Sequence, residues 1–334
     1  MRKDLPEFRT MTWPGGTLPV PKVYAGPVVL RGGILCPFEG DTPGTRNRVS
    51  VSEELYLREV RQLKLSDEEA LRDFTRHHGT VYCEDLARVL KAAAGPGGWR
   101  DYADDAQRLA DRQRELRGKV MHLAMDLLMS WKEKWLLLEA AEKHQLLSPE
   151  DAAHLQTMRH TSVPATEAFC HVDEMRWTVA LIRDIARVWL WAQGELSFTR
   201  VQIEWESPVR PATEQGPWPA KEEALRMLEA TLNLGLAELR PRVSLGLAGG
   251  ENADAWKDEP VSLFSALCVQ FANHIIENAK YKKCENCGTW FVRQLGRAEQ
   301  GQHRTTGTKY CSVRCAKAKT QREYYARHHK GGGT

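Results

Sequence analysis

Two cysteine pairs near the C-terminus constrain this chain more than any other feature. Cys284 and Cys287 form a C-x2-C pair followed by Gly288. Cys311 and Cys315 form a second pair, with three residues between them, after 23 intervening residues. Each pair can present two sulfurs from one short turn, and two such pairs meet the four-ligand tetrahedral preference of zinc. Gly288 suits the backbone that a knuckle needs just after its second ligand. Trp290 and Phe291 can cover the metal and begin a strand, and the run from Cys311 through Tyr325 favours a helix. Thiolates at the start of a helix are stabilised by its dipole and its free N–H groups. Knuckle, hairpin and helix in this order predict a small treble-clef or ribbon-like finger around one structural Zn2+. A chance cluster of reduced thiols is the plainer alternative, and His303 in the intervening loop is a candidate substitute ligand, against a solvated imidazole. Four bound sulfurs leave no open coordination position, so hydrolytic chemistry at the metal is not expected.

At 334 residues, 42% hydrophobic and 27% charged, the chain is sized for two domains, or one large domain with a small appendage. No window approaches 18 consecutive apolar residues, so no transmembrane helix is expected. The start Met1-Arg2-Lys3-Asp4-Leu5-Pro6 has no apolar run behind it, which points to the cytoplasm rather than to secretion. Cys36, Cys83, Cys170 and Cys268 stand singly among apolar neighbours and read as buried free thiols.

The net charge of +3 conceals an asymmetry. From Lys280 to Lys330, 13 Lys/Arg stand against Glu285, Glu299 and Glu323, a balance of +10 that leaves −7 for the rest of the chain. A cationic segment on a neutral-to-acidic body suits a polyanionic partner. Arg304, Lys309, Arg314, Lys317, Lys319 and Arg322 are the candidate phosphate contacts. Helical spacing puts Arg314, Lys317 and Gln321 on one face. Tyr324 and Tyr325 add rings that either pack on the finger or stack on bases. A merely solvated basic helix is the alternative.

Three segments emerge along the chain. Residues 1–50 are rich in Pro and Gly and read as irregular or β-rich, with Val28–Leu30 and Ile34–Leu35 as strands around Arg31-Gly32-Gly33. Residues 51–260 read as a helical domain. Ser52 and Ser66-Asp67 open helices, and Gly79 closes the second. The longest helical signal runs from Asp101 to Leu147, with Leu116, Val120, Leu123, Leu127, Trp131, Trp135 and Leu138 at three- and four-residue steps. Ser148 caps a short helix, Pro164 begins a long one, and another runs from about Pro219 to Leu234. Arg200–Trp205 and Pro241–Leu247 look like strands. Residues 261–334 hold a helix capped by Ser262, then the finger with its basic terminal helix. The expected class is mainly α, with a few short strands. His77-His78, and Cys170-His171 placed on a helix, are weaker site candidates. The tryptophans read as core. No phosphate-binding glycine loop, nucleophile elbow or HExxH motif is present.

Ala230-Thr231-Leu232-Asn233, Leu239-Arg240-Pro241-Arg242-Val243, the helix 263–279, Cys284-x2-Cys287-Gly288-x2-Phe291 and Tyr310-Cys311-Ser312 follow one another in an order that resembles the bacterial CGNR-type zinc finger proteins. In that family a helical domain of the kind called ABATE precedes the finger. The resemblance covers the last third of the chain and implies a transcriptional or RNA-linked regulator. The family's Cys-Gly-Asn-Arg turn is replaced here by Cys315-Ala316-Lys317-Ala318. The expectation is a zinc-containing, non-enzymatic protein whose finger contacts DNA or RNA backbone and whose helical body senses a ligand or forms a homodimer. The competing expectation is a scaffold or protein-interaction module in which the finger is purely structural.

Overall fold

The Pro- and Gly-rich N-terminal part forms short strands, because proline removes ladder donors and fixes φ. They are β1 (Val23–Ala25), β2 (Val29–Arg31), β3 (Ile34–Cys36), β4 (Phe38–Glu39), β5 (Thr42–Pro43) and β6 (Asn47–Val49). The expected hairpin is present: β2 and β3 pair antiparallel, Arg31 opposite Ile34, across Gly32 at φ 56° and Gly33 at φ 79°. Two consecutive positive-φ residues are what a two-residue hairpin turn requires, and glycine adopts them without strain. β1 pairs with β6 and β4 with β5, both antiparallel. The computed structural model describes residues 20, 22–39, 42–44, 46–52, 54–83, 85–94, 100–160, 169–194, 221–237, 262–277, 279–292, 296–297, 303–304 and 309–328.

Five helices come next: α1 (Glu59–Gln62), α2 (Glu68–His78), α3 (Leu86–Ala94), α4 (Arg100–Lys143) and α5 (Pro149–His160). The Asp67 side chain accepts from the backbone N–H groups of Glu69 and Ala70, both at 3.1 Å, and Gly79 at φ 90° ends α2. Ser148 Oγ accepts from Asp151 N at 3.1 Å at the start of α5. The helix expected from Ser52 starts later. Leu55 N bonds Ser52 O at 3.1 Å in a turn, and α1 begins only at Glu59.

The helix expected from Pro164 also starts elsewhere. Cys170 and His171 form a strand, β7 (Cys170–His171), which adds to β3 with His171 opposite Ile34. α6 (Val172–Ala192) comes directly after it, and His171 Nδ1 caps it by accepting from Asp173 N at 3.1 Å. The unpaired edge of β3 supplies the backbone partners that hold Cys170-His171 extended rather than helical. The remaining helices of the body are α7 (Lys221–Ala237) and α8 (Leu263–Ile276), with Ser262 Oγ accepting from Ser265 N at 3.1 Å. The strands expected at 200–205 and 241–247 lie outside the described residues.

α6 is buried nearly all round, which makes it the axis of the body. Its Arg183 is buried too, and donates from Nε to Val60 O at 2.9 Å and from Nη2 to Leu63 O, covering carbonyls that the short α1 leaves unpaired. α7 packs against α3, α6 and α8. It can approach α8 closely because position 235 is glycine. A Cβ there would lie 2.6 Å from Cys268 Cβ. One core runs across the divisions expected at residues 51 and 261, from Val23 and Leu35 through α6 and α8 to Tyr281 and Trp290.

Candidate metal centre

After α8 the chain turns into β8 (Tyr281–Lys283) and β9 (Trp290–Val292), an antiparallel hairpin with Lys283 opposite Trp290. The first cysteine pair sits at its tip. Cys284 N bonds Thr289 O at 2.9 Å and Gly288 N bonds Cys284 O at 2.9 Å, so both backbone groups of Cys284 are used to close the knuckle. Gly288 has φ 71°, and a Cβ there would meet nothing closer than 3.7 Å, so conformation rather than space calls for glycine. β10 (Gly296–Arg297) and β11 (His303–Arg304) pair in the connection to the second cysteine pair. Then Ser312 caps α9 (Val313–His328): its Oγ accepts from Cys315 N at 3.2 Å. Cys311 precedes the helix and Cys315 lies in its first turn, as the spacing predicts. Glu285 N bonds Lys309 O at 3.0 Å and ties the two cysteine-bearing loops together.

The four sulfurs of Cys284, Cys287, Cys311 and Cys315 lie within 4.8 Å of one another. Cys287 Sγ is 3.6 Å from Cys311 Sγ, which is 3.5 Å from Cys315 Sγ. A disulfide requires about 2.05 Å, and all eight cysteines are free thiols. A tetrahedron with metal–sulfur bonds of about 2.3 Å has edges of about 3.8 Å. The sulfur cluster therefore has the dimensions of a tetrathiolate metal site.

Its electrostatics fit a cation as well. Burial works against the Cys284 thiolate, but the backbone N–H groups of Cys287, Cys311 and Asn286 outweigh it and lower the pKa. Burial also opposes ionisation of Cys287, and the Thr289 hydroxyl and N–H overcome it. The Asn286 side chain is the leading cause that lowers Cys315. Cys311 moves the other way: burial, then its contacts with Cys315, Cys287 and Cys284, push it up to about 12. Burial and the three neighbouring sulfurs keep Cys311 from ionising, and a divalent cation in their midst would favour its thiolate instead.

A second layer supports the cluster. Arg322 Nη2 donates to Asn286 Oδ1 at 2.5 Å, which fixes the amide that polarises Cys315. Three residues of the helical body hold the finger in place. Arg58 Nη2 donates to Cys311 O at 3.0 Å, Gln62 Nε2 to Thr289 Oγ1 at 3.0 Å, and Val292 N to Glu54 Oε1 at 2.9 Å. Deeper in, the Tyr56 hydroxyl lies 2.6 Å from His274 Nδ1 and 3.0 Å from the Tyr281 hydroxyl. None of these partners carries a motif. Only Asn286, between two ligands, could have been singled out from its position.

The candidate phosphate contacts divide. Arg314 and Lys317 are exposed and have no ion-pair partner among the described residues. Lys319 pairs with Glu323 and Lys309 with Glu285, each at 3.7 Å, and Arg322 is committed to Asn286. Arg304 and His303 lie in β11, where the side chains fall outside the described residues. His77, a weaker candidate, bonds Asp73 O at 2.7 Å on an exposed helix face, away from the sulfur cluster. No helix among the described residues is long and apolar enough to cross a membrane. No family model, curated protein or solved structure matches the chain.

Proposed function

We propose that this is a zinc-containing nucleic-acid-binding protein, regulatory rather than catalytic, whose finger contacts the phosphate backbone of DNA or RNA. Zinc is the metal that best suits four thiolates in a small tetrahedral site; iron is the other ion that four cysteines commonly take. Arg58, Gln62 and Glu54 orient the finger, and a four-sulfur site holds its metal without an open position, so the ion serves shape and not turnover. None of the eight cysteines is in a disulfide, which is compatible with a reducing compartment such as the cytoplasm.

The observation that carries the reading is the exposed Arg314–Lys317 face of α9, whose cations no carboxylate neutralises among the described residues. Such a face attracts phosphates and releases their counterions. Anisotropy titrations of labelled nucleic acids test it. Affinity should fall at least about tenfold between roughly 50 and 200 mM salt, and Arg314→Glu with Lys317→Glu should abolish binding. Absence of binding to duplex and single strand at the lower salt would reject the proposal.

One observation favours a purely structural finger: the three hydrogen bonds it makes with Glu54, Arg58 and Gln62 make it a continuation of the body. The same titration separates the two, since a finger that only closes the fold gives no salt-dependent binding.

A further inference from the structure

α9 has no buried side chain among its described residues, and its two sides differ in kind. Cys315, Ala316, Ala318 and Lys319 are half-buried towards the sulfur cluster. Away from it, Arg314, Lys317, Gln321, Tyr324 and His328 recur at alternating three- and four-residue steps, with Tyr325 beside them, and all six are exposed. On most helices that spacing marks an apolar seam. Here it carries two cations, an amide and aromatic rings, which no hydrophobic core or coiled-coil partner would match.

The rings are organised. The His328 imidazole stacks on Tyr324 with centroids 4.0 Å apart at 24°, and Tyr325 meets Tyr324 edge-on at 6.0 Å and 76°. Tyr324 remains 54% and Tyr325 51% exposed, so the group is a platform in water and not packing for the finger. Lys317 and Tyr324 are seven residues apart, about 10 Å along the helix. Phosphates held at the N-terminal half would bring the adjoining nucleotides over the rings.

We infer that α9 selects single-stranded nucleic acid over duplex, with Arg314 and Lys317 on the phosphates and the Tyr324–Tyr325–His328 group stacked on unpaired bases. This rests on the nucleic-acid reading above and deepens it. Ring faces are useful only where bases offer their own faces. Single strands do so, whereas a duplex encloses them and is met through groove edges and phosphates.

The test uses the full chain with its metal and three labelled probes: a dT oligonucleotide, a U oligonucleotide of equal length, and a mixed-sequence duplex. Wild type should bind at least one single strand about tenfold tighter than the duplex. Tyr324→Ala with Tyr325→Ala should weaken single-strand binding between about fivefold and a hundredfold per stacked base, and leave the duplex within twofold. The Tyr324→Phe, Tyr325→Phe double variant should keep wild-type affinity, because stacking survives loss of the hydroxyl. Loss in the Phe variant would mean hydroxyl–phosphate contacts and overturn the inference, as would equal binding of duplex and both strands. In those cases a loss of all binding in the Arg314→Glu, Lys317→Glu variant would leave the broader function standing. Failure of every probe to bind would remove both. The dT and U arms distinguish DNA from RNA as the source of the strand.

Discussion

Arg58 reaches from the turn before α1 to the carbonyl of Cys311, 3.0 Å away, and so joins the helical body to a cysteine-bearing loop through a single charged donor. Its guanidinium also pairs with Glu54 at 2.5 Å, and Glu54 accepts from Val292 N in β9. Arg58→Ala should loosen both ends of the finger by about 1 kcal/mol, since the site is partly exposed. Hydrogen exchange at residues 281–292 and 309–315 should quicken about fivefold, with α7 and α8 unchanged. Unaltered exchange in the finger would show that this bond does not hold it.

Asn286 and Arg322 should matter to the metal without touching it. Second-layer partners of this kind commonly contribute about ten- to a hundredfold in metal affinity. Asn286→Ala should therefore lose zinc to a chelator at correspondingly lower chelator concentration. Cys287→Ser should remove the metal outright, leaving the α6–α8 core folded by circular dichroism. A zinc content equal to wild type in Cys287→Ser would break the ligand assignment.

Two glycines should respond to alanine with opposite signs. Gly118 lies exposed on α4, and a Cβ there meets nothing within 4 Å. Gly118→Ala should stabilise by about 0.5–1 kcal/mol through helix propensity. Gly235→Ala gains the same propensity but drives a methyl into Cys268, and overpacking of about 1–3 kcal/mol should win. Urea midpoints of the two variants, compared with wild type, decide it. A stabilised Gly235→Ala would mean that α7 and α8 are not in close contact.

Two buried groups give stability opposite pH slopes. Burial lowers His274 to about 4 from an ordinary 6.5, so the unfolded chain takes up its proton first. Its contribution is complete above pH 6.5 and is lost as pH falls towards 4, a few kcal/mol over the window by linkage. Glu174 is raised to about 7 by burial, against the pull of Arg117 and Gln113. Its contribution is present below pH 4.5 and lost as pH rises through 7. His274→Gln should flatten the acid side of the stability profile, and Glu174→Gln should raise stability above pH 7. Denaturant midpoints from pH 4 to 8 that keep the wild-type shape in both variants would contradict these protonation states.

The elements easiest to foresee are those whose signals are local. Asp67 and Gly79 bracket α2, Ser148 and Ser262 cap α5 and α8, and the glycine pair 32–33 makes its hairpin, because each acts on backbone within four residues. The start of α6 is not legible in this way, because β7 exists only through the edge of β3, more than a hundred residues earlier in sequence. The cysteine cluster is legible for the same local reason as the caps, each pair lying on one turn. Their supports are not. Arg58, Gln62, Glu54 and the Tyr56–His274–Tyr281 contact join positions over two hundred residues apart, and nothing in a Tyr or a Gln announces such a partner. Among the candidate cations, sequence groups them by helical face but does not show which are tied up by Glu285, Glu323 or Asn286.

α9 buries no described side chain, and it is tied to the knuckle at the sulfur cluster of Cys311 and Cys315 and through the Arg322–Asn286 hydrogen bond. If an ion held by that cluster sets the helix's direction, anything that grips the outward side would be thermodynamically linked to it: each would raise the other's apparent affinity by the same factor. Scarcity of the ion would then act as a dimmer on the helix, lowering its grip by degrees while α6 and its neighbours stay folded.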